Sequence, residues 1–92
     1  LVAVYLERDG LTLELLHYRH PEGTAAIRSR PMNQHGLTHI SLQAVAPGAA
    51  LAELRRQGVE IAEATVVHVK GSVVAFLFQD PDGQTLEITA VR

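Results

Sequence analysis

Two segments of this sequence each place a possible metal ligand on the polar side of an alternating pattern. Residues 36–43 carry His39, and residues 84–89 carry Glu87, each between apolar neighbours. Because successive side chains of a strand point to opposite faces, each polar residue lies on the face opposite its neighbours. A neutral imidazole and a carboxylate on one sheet suit a divalent ion. Ordinary amphipathic strands with solvated polar faces explain these two segments equally well.

A third candidate ligand is Glu14, in the middle of the strand-like segment Leu11–Tyr18. Three leucines share one face of that segment, and Glu14 lies on the other. Burying an unpaired carboxylate is costly, so either this face is wet or the charge has a partner. A cation shared with His39 and Glu87 would be such a partner. A solvent-facing Glu14 is the alternative, because glutamate is seldom fully buried.

The composition limits the protein to one small domain. The chain has 92 residues, of which 47% are hydrophobic and 20% charged, with a net charge of −2 and no cysteine. A domain of this size buries roughly 60–65% of its unfolded surface. Without a basic cluster or a long apolar run, we expect no nucleic-acid and no membrane partner. The lack of cysteine fits a reducing compartment, so we expect a cytoplasmic protein.

The first part of the chain predicts a β-hairpin. Val2–Glu7 and Leu11–Tyr18 are strand-like, and the Asp-Gly pair between them is a strong hairpin signal. Residues 19–35 contain two prolines and one glycine among polar residues without periodicity, which is typical of a linker. Because the sequence opens inside a strand-like run, we expect a further N-terminal portion to precede it.

The second part predicts one helix among four strands. Apolar residues recur at helical spacing in Ala49–Gln57, and Gly58 follows as a typical end signal. Period-two alternation indicates the strands Leu37–Ala44 and Gln84–Val91. Two further strands, Ala64–Val69 and Ser72–Phe78, flank the turn Lys70-Gly71, and the second of them is an apolar run rich in Val and Phe. The sequence therefore predicts an α+β domain with a mostly antiparallel, strongly curved sheet and the helix on its convex face.

These elements resemble those of a known superfamily. The order strand–helix–strand–strand–strand opens with Gly-Leu-Thr-His-Ile and closes with Phe-Gln-Asp-Pro-Asp-Gly-Gln-Thr-Leu-Glu-Ile. It resembles the vicinal oxygen chelate superfamily of glyoxalases, bleomycin resistance proteins and extradiol dioxygenases, and lactoylglutathione lyases most. The resemblance implies paired βαβββ modules that form an open curved sheet. Residues 1–18 would be the last two strands of an incomplete first module, 19–35 a linker and 36–92 the second module.

The resemblance also implies a site and a reaction. Glu14, His39 and Glu87 match the family's positions for ligands of a divalent metal, which would be nickel, cobalt, zinc, manganese or iron. A fourth ligand, usually a His, would come from the first module's opening strand. The implied activity is that of a lyase or isomerase acting by proton transfer beside a metal-chelated carbonyl of a small substrate, with Glu87 as the base. The residues expected beside the ligands are Thr12, Ser41, Gln43, Thr85 and Thr89.

The resemblance implies a homodimer as well, because the family builds sites across subunits and an exposed strand edge invites pairing. The apolar residues expected near the module interface are Leu13, Leu15, Val73 and Ala75.

Two alternative functions stay open. One is a non-catalytic protein that binds a small molecule such as an antibiotic on the same fold. The other is an extradiol dioxygenase, which resembles this chain in having a His before the Asp-Pro turn; here it would be His68. Its spacing is longer than the family pattern, and Leu77 stands where a Tyr is usual.

The remaining histidines, His17, His20 and His35, fit packed or solvated surface roles. Tyr18 either closes the pocket or ends its strand.

Overall fold

The computed structural model describes residues 1–23 and 31–91, and these contain two separate sheets and one α-helix. Part of the predicted linker, residues 24–30, and the terminal Arg92 lie outside the described residues. The first sheet is a hairpin of β1 (Val2–Arg8) and β2 (Leu11–His17). Its turn residues Asp9 and Gly10 have φ of 52° and 79°. Two positive φ values define the tight turn whose twist matches that of the strands, so the predicted hairpin is confirmed.

The second sheet, called the main sheet below, has four strands in the order β3-β6-β5-β4. These are β3 (His39–Ala44), β4 (Val67–Val69), β5 (Ser72–Gln79) and β6 (Thr85–Ala90). β3 and β6 are parallel, and the other two pairs are antiparallel. The helix α1 (Pro47–Arg56) follows β3 and packs across β5, β6 and β3. The predicted α+β architecture with strand–helix–strand–strand–strand order is confirmed.

The helix begins two residues before the predicted Ala49. Pro47 occupies the first turn, where its missing N–H is not needed and its fixed φ suits the helix. Gly58, with φ of 83°, ends the helix, and the following Val59 N–H donates to Leu54 O at 3.0 Å. A glycine takes this left-handed conformation without the steric cost of a Cβ. The predicted end signal therefore acts as expected.

The core lies between α1 and one face of the main sheet. Leu51, Phe76 and Ile88 are only 4%, 1% and 8% exposed. Leu42 and Phe78 pack against them from the sheet. Because side chains alternate along each strand, the opposite face of the main sheet carries His39, Ser41 and Glu87. We call that surface the open face.

The predicted strand Ala64–Val69 is wrong in its first half. Glu63–Thr65 form a short 3₁₀ turn, and only Val67–Val69 pair as β4. The reason is Thr65, whose Oγ1 donates to Ala62 O at 2.6 Å and accepts the N–H of Leu77 at 2.9 Å. A side-chain oxygen thus takes the place of a backbone carbonyl beside β5.

A β-bulge changes which residues of β5 face the core. Val67 pairs with Ala75 but His68 pairs with Val73, so β5 contains one extra residue at this point. Val73 consequently packs against the core cluster together with Phe76. The expectation that Val73 shares an interface surface with Ala75 is wrong, because the extra residue turns the two side chains to opposite faces.

The β1–β2 hairpin projects from the rest of the molecule. The described chain measures 50 × 29 × 28 Å with a radius of gyration of 14.9 Å, whereas a compact domain of this length would have about 12 Å. One apolar face of the hairpin, formed by Val2, Val4, Leu6, Leu13 and Leu15, is 37–50% exposed. Arg8 Nη2 donates to Gln43 O of β3 at 3.1 Å and ties the end of the hairpin to the main sheet. In the part of the chain that is described, no helix is long and apolar enough to span a membrane.

Candidate metal centre

The parallel pairing of β3 and β6 brings two of the three predicted ligands together. His39 lies beside Thr85, and Ser41 lies beside Glu87. His39 and Glu87 therefore occupy neighbouring strands on the open face, two register positions apart. His39 Nε2 is 3.9 Å from Glu87 Oε1, and each of the two side chains is 30% exposed. The pair is thus partly shielded while still accessible to a ligand.

The second ring nitrogen of His39, Nδ1, contacts the hydroxyl of the preceding residue, Thr38. Thr38 Oγ1 lies 2.9 Å from His39 Nδ1. With the proton on Nδ1 donated to this hydroxyl, Nε2 keeps its lone pair on the side of Glu87. Histidines that bind metals typically donate the second ring N–H to a neighbouring acceptor, which sets the tautomer and the ring orientation.

The Glu87 carboxylate is held from the adjacent strand. Ser41 Oγ donates a hydrogen bond to Glu87 Oε1, the same oxygen that faces His39. Ser41 was expected among the neighbours of the site, but its direct contact with Glu87 follows from the register of β3 and β6. That register depends on parallel pairing between segments more than forty residues apart, which alternation alone does not reveal.

The two side chains carry donor atoms of the types that suit one divalent ion. At a tetrahedral angle, ligand bonds of about 2.0–2.2 Å place a nitrogen and an oxygen about 3.4 Å apart. The observed separation of 3.9 Å is longer, so the Glu87 carboxylate would have to rotate towards His39 to share an ion with it. His39 and Glu87 would then hold the ion, but catalytic sites usually have a third protein ligand. Within residues 1–23 and 31–91, no group of three or more His, Cys, Asp or Glu side chains is close enough to hold a metal ion.

Glu14 does not join the pair within one chain. It lies on β2 opposite Tyr5, whose hydroxyl is 3.5 Å from Glu14 Oε1. Within the described residues of one chain, Glu14 does not converge with His39 and Glu87, because the hairpin forms a sheet of its own. The role of Glu14 as a metal ligand stays a prediction. Its side chain is exposed, as the solvent-facing alternative predicts.

The other histidines lie elsewhere. His68 is exposed on the edge strand β4, separated from β3 by β5 and β6. At about 4.8 Å per strand, this places the two outer strands roughly 14 Å apart. His68 therefore lies away from the His39–Glu87 pair, and the dioxygenase alternative gains no support from its position. His17, at the end of β2, and His20 are exposed surface residues, and so is Tyr18.

A cavity of about 670 Å³ lies beside β5, the start of β6 and the segment around Ile61. Leu77 and Thr85 line one side of it, and these residues are the strand partners of Glu87 and His39, respectively. Met32 and Ile61 line another side. Met32 and the segment around Ile61 were not predicted to contribute; the apolar alternation of Val59 and Ile61 was the available signal.

Comparison with known proteins identifies the family. Residues 1–88 match the model of the Glyoxalase/Bleomycin resistance protein/Dioxygenase superfamily. The chain therefore belongs to this superfamily, as its motifs predicted.

A solved structure shows the same fold. The glyoxalase family protein from Enterococcus faecalis superposes with a TM-score of 0.64 and 26% sequence identity over 95% of this chain. This chain spans 65% of the length of that protein. Among curated proteins, no match was found.

Proposed function

We propose that this protein is a metal-dependent lyase or isomerase of the glyoxalase type, acting on a small substrate by proton transfer beside a chelated carbonyl. The observation that carries the proposal is the placement of His39 Nε2 and Glu87 Oε1 3.9 Å apart on the open face of the main sheet. Membership of the superfamily supplies the fold on which such chemistry occurs.

The roles of the side chains follow from their contacts. A bound divalent ion would stabilise negative charge on the substrate oxygen. His39, oriented by Thr38, would hold the ion through Nε2, and Glu87 would hold it through Oε1. Glu87 Oε2 would then accept the proton from the carbon beside the carbonyl. A general base must lie within hydrogen-bond reach of that carbon's proton. The cavity lined by Leu77 and Thr85, the strand partners of Glu87 and His39, would hold the substrate.

We further propose that a homodimer completes the ligand set, with Glu14 of one copy reaching the pair of the other. Two observations support this arrangement. Glu14 is exposed on the projecting hairpin, and the hairpin's apolar face is exposed as well. A two-stranded hairpin is at best marginally stable alone, and large apolar patches mark interaction sites. The division into residues 1–18, 19–35 and 36–92 belongs to the same proposal, with 1–18 as part of a first module.

Metal analysis of variants tests the proposal. His39→Ala and Glu87→Gln should each lower the affinity for a divalent ion by more than about 100-fold, because each removes a direct ligand whereas loss of an indirect partner costs 10–100-fold. Inductively coupled plasma mass spectrometry and isothermal titration with Ni²⁺, Co²⁺, Zn²⁺, Mn²⁺ and Fe²⁺ measure the loss and identify the metal. His20→Ala, on the exposed surface, is the matched control and should bind as the unmodified protein does.

A metal-free binding protein is the second candidate, favoured by the cavity. Its volume of about 670 Å³ is within the range of about 300–1,000 Å³ typical of small-molecule sites. Several of its lining residues, including Leu77, Ile61 and Met32, are apolar. If removal of metal with a chelator leaves the binding of a small molecule unchanged, and His39→Ala does not alter the metal content, the protein is a metal-free binding protein. The metal-dependent enzyme is then excluded.

A further inference from the structure

We propose that Ser41 is a positioning residue, which directs the Glu87 carboxylate within the metal centre. The inference rests on the proposed function and adds a residue to it. Ser41 Oγ donates to Glu87 Oε1, and that same oxygen faces His39 Nε2. The same carboxylate oxygen thus accepts the hydrogen bond of Ser41 and lies 3.9 Å from the imidazole nitrogen.

The contact between Ser41 and Glu87 follows from the register of the sheet. Ser41 and Glu87 are direct partners in the parallel pairing of β3 and β6. Their backbones are held by the sheet, and Ile88, beside Glu87, is buried in the core. Because the two side chains start from fixed, adjacent positions on the same face, the hydroxyl meets the carboxylate without rearrangement of either strand.

The contact restricts a side chain that would otherwise rotate. Glu87 is 30% exposed and has three rotatable bonds, so the sheet alone leaves several positions open to its carboxylate. The hydrogen bond from Ser41 Oγ to Oε1 limits that rotation. Among the described hydrogen bonds, those of Glu87's side chain involve only Oε1. Oε2 would therefore be available to accept the proton of the substrate, while Oε1 would help His39 to hold the ion.

Thr89 offers a matched control. It lies two residues after Glu87 on β6 and pairs with Gln43. By alternation it also belongs to the open face. A variant at Thr89 thus removes a hydroxyl from the same strand and the same face without removing the donor to Glu87.

The experiment uses the isosteric pair Ser41→Thr and Ser41→Val in the full protein. Both side chains are β-branched and suit a strand, so the two variants differ chiefly in the hydroxyl. Isothermal titration with Co²⁺, together with the visible spectrum of the bound Co²⁺, reports affinity and ligand arrangement; thermal unfolding reports folding. We expect Ser41→Val to weaken Co²⁺ binding by 10–100-fold, the usual effect of losing an indirect partner. Its spectrum should shift, whereas Ser41→Thr and Thr89→Val should keep both properties of the unmodified protein.

Glu87→Gln separates the two possible failures. If Glu87→Gln leaves Co²⁺ affinity unchanged, the proposed metal function itself is wrong. If Glu87→Gln weakens binding but Ser41→Thr and Ser41→Val bind Co²⁺ alike, the positioning role of Ser41 is overturned and the metal function stands. Equal loss in Ser41→Val and Thr89→Val would also overturn it, because the effect would then belong to the polar face in general.

Discussion

The hairpin and the main sheet start from the same sequence pattern and reach different environments. In β1 and β2, Leu6 and Leu13 are paired partners on an apolar face, yet they are 50% and 37% exposed. In the main sheet, the paired Phe76 and Ile88 are 1% and 8% exposed, because α1 covers them. Alternation specifies which residues share a face, but burial requires a second layer. The same difference separates Glu14, exposed on the hairpin, from Glu87, which is half-buried beside His39.

Two leucines provide the most direct measure of this difference. Leu51 is 4% exposed in the core and Leu6 is 50% exposed on the hairpin. Leu51→Ala should lower the free energy of unfolding by about 2–5 kcal/mol, because it leaves a cavity in packed surroundings. Leu6→Ala should change it by less than about 0.5 kcal/mol in a monomer, as at other surface sites. Urea titrations followed by circular dichroism compare the two.

Repeating the same titrations at several protein concentrations tests whether a second copy of the protein covers the hairpin. If Leu6→Ala costs as much as Leu51→Ala and the cost grows with protein concentration, a second copy covers the hairpin face. An equal cost that does not depend on concentration would contradict the separation of the two regions.

A charge on the hairpin face should reduce self-association. Leu6→Glu places a carboxylate where the proposed dimer buries an apolar side chain, and the dimer should weaken by about tenfold or more. Sedimentation equilibrium measures the change. The control is Val45→Glu, since Val45 is 92% exposed and lies outside the hairpin, between β3 and α1. A protein that is monomeric at high micromolar concentration before any substitution would refute the dimer.

The smallest effect is expected at the end of α1, where the charges are solvent-exposed. Hydrogen bonds from Arg56 and then Gln57 lower the pKa of Glu53 from 4.5 to about 2. A carboxyl group whose pKa is lower in the folded state stabilises the protein above pH 4.5, and this contribution is lost as the pH falls towards 2. Glu53→Gln should therefore slightly flatten the fall in thermal unfolding temperature between pH 4.5 and 2. Identical pH profiles for the two proteins would show that the ion pair of Glu53 with Arg56 contributes nothing measurable.

The local elements were predictable because each depends on neighbours in the chain. The Asp9-Gly10 turn has a backbone preference of its own, and Gly58 ends a helix wherever an apolar stripe precedes it. The prediction failed where a side chain replaced a backbone partner, as at Thr65, and where the β5 bulge turned Val73 to the core. Neither event changes the composition or the period of the sequence enough to be seen in advance.

The sequence by itself determined the order of strands and helix, the family, and the presence of His39 and Glu87 on polar strand faces. The tertiary structure decided that these two side chains meet, because parallel pairing of β3 with β6 joins segments far apart in the chain. It also decided that Ser41 contacts Glu87 and that Glu14 lies apart on the hairpin. Local patterns fix which way a side chain points, whereas the register between distant strands fixes what it meets.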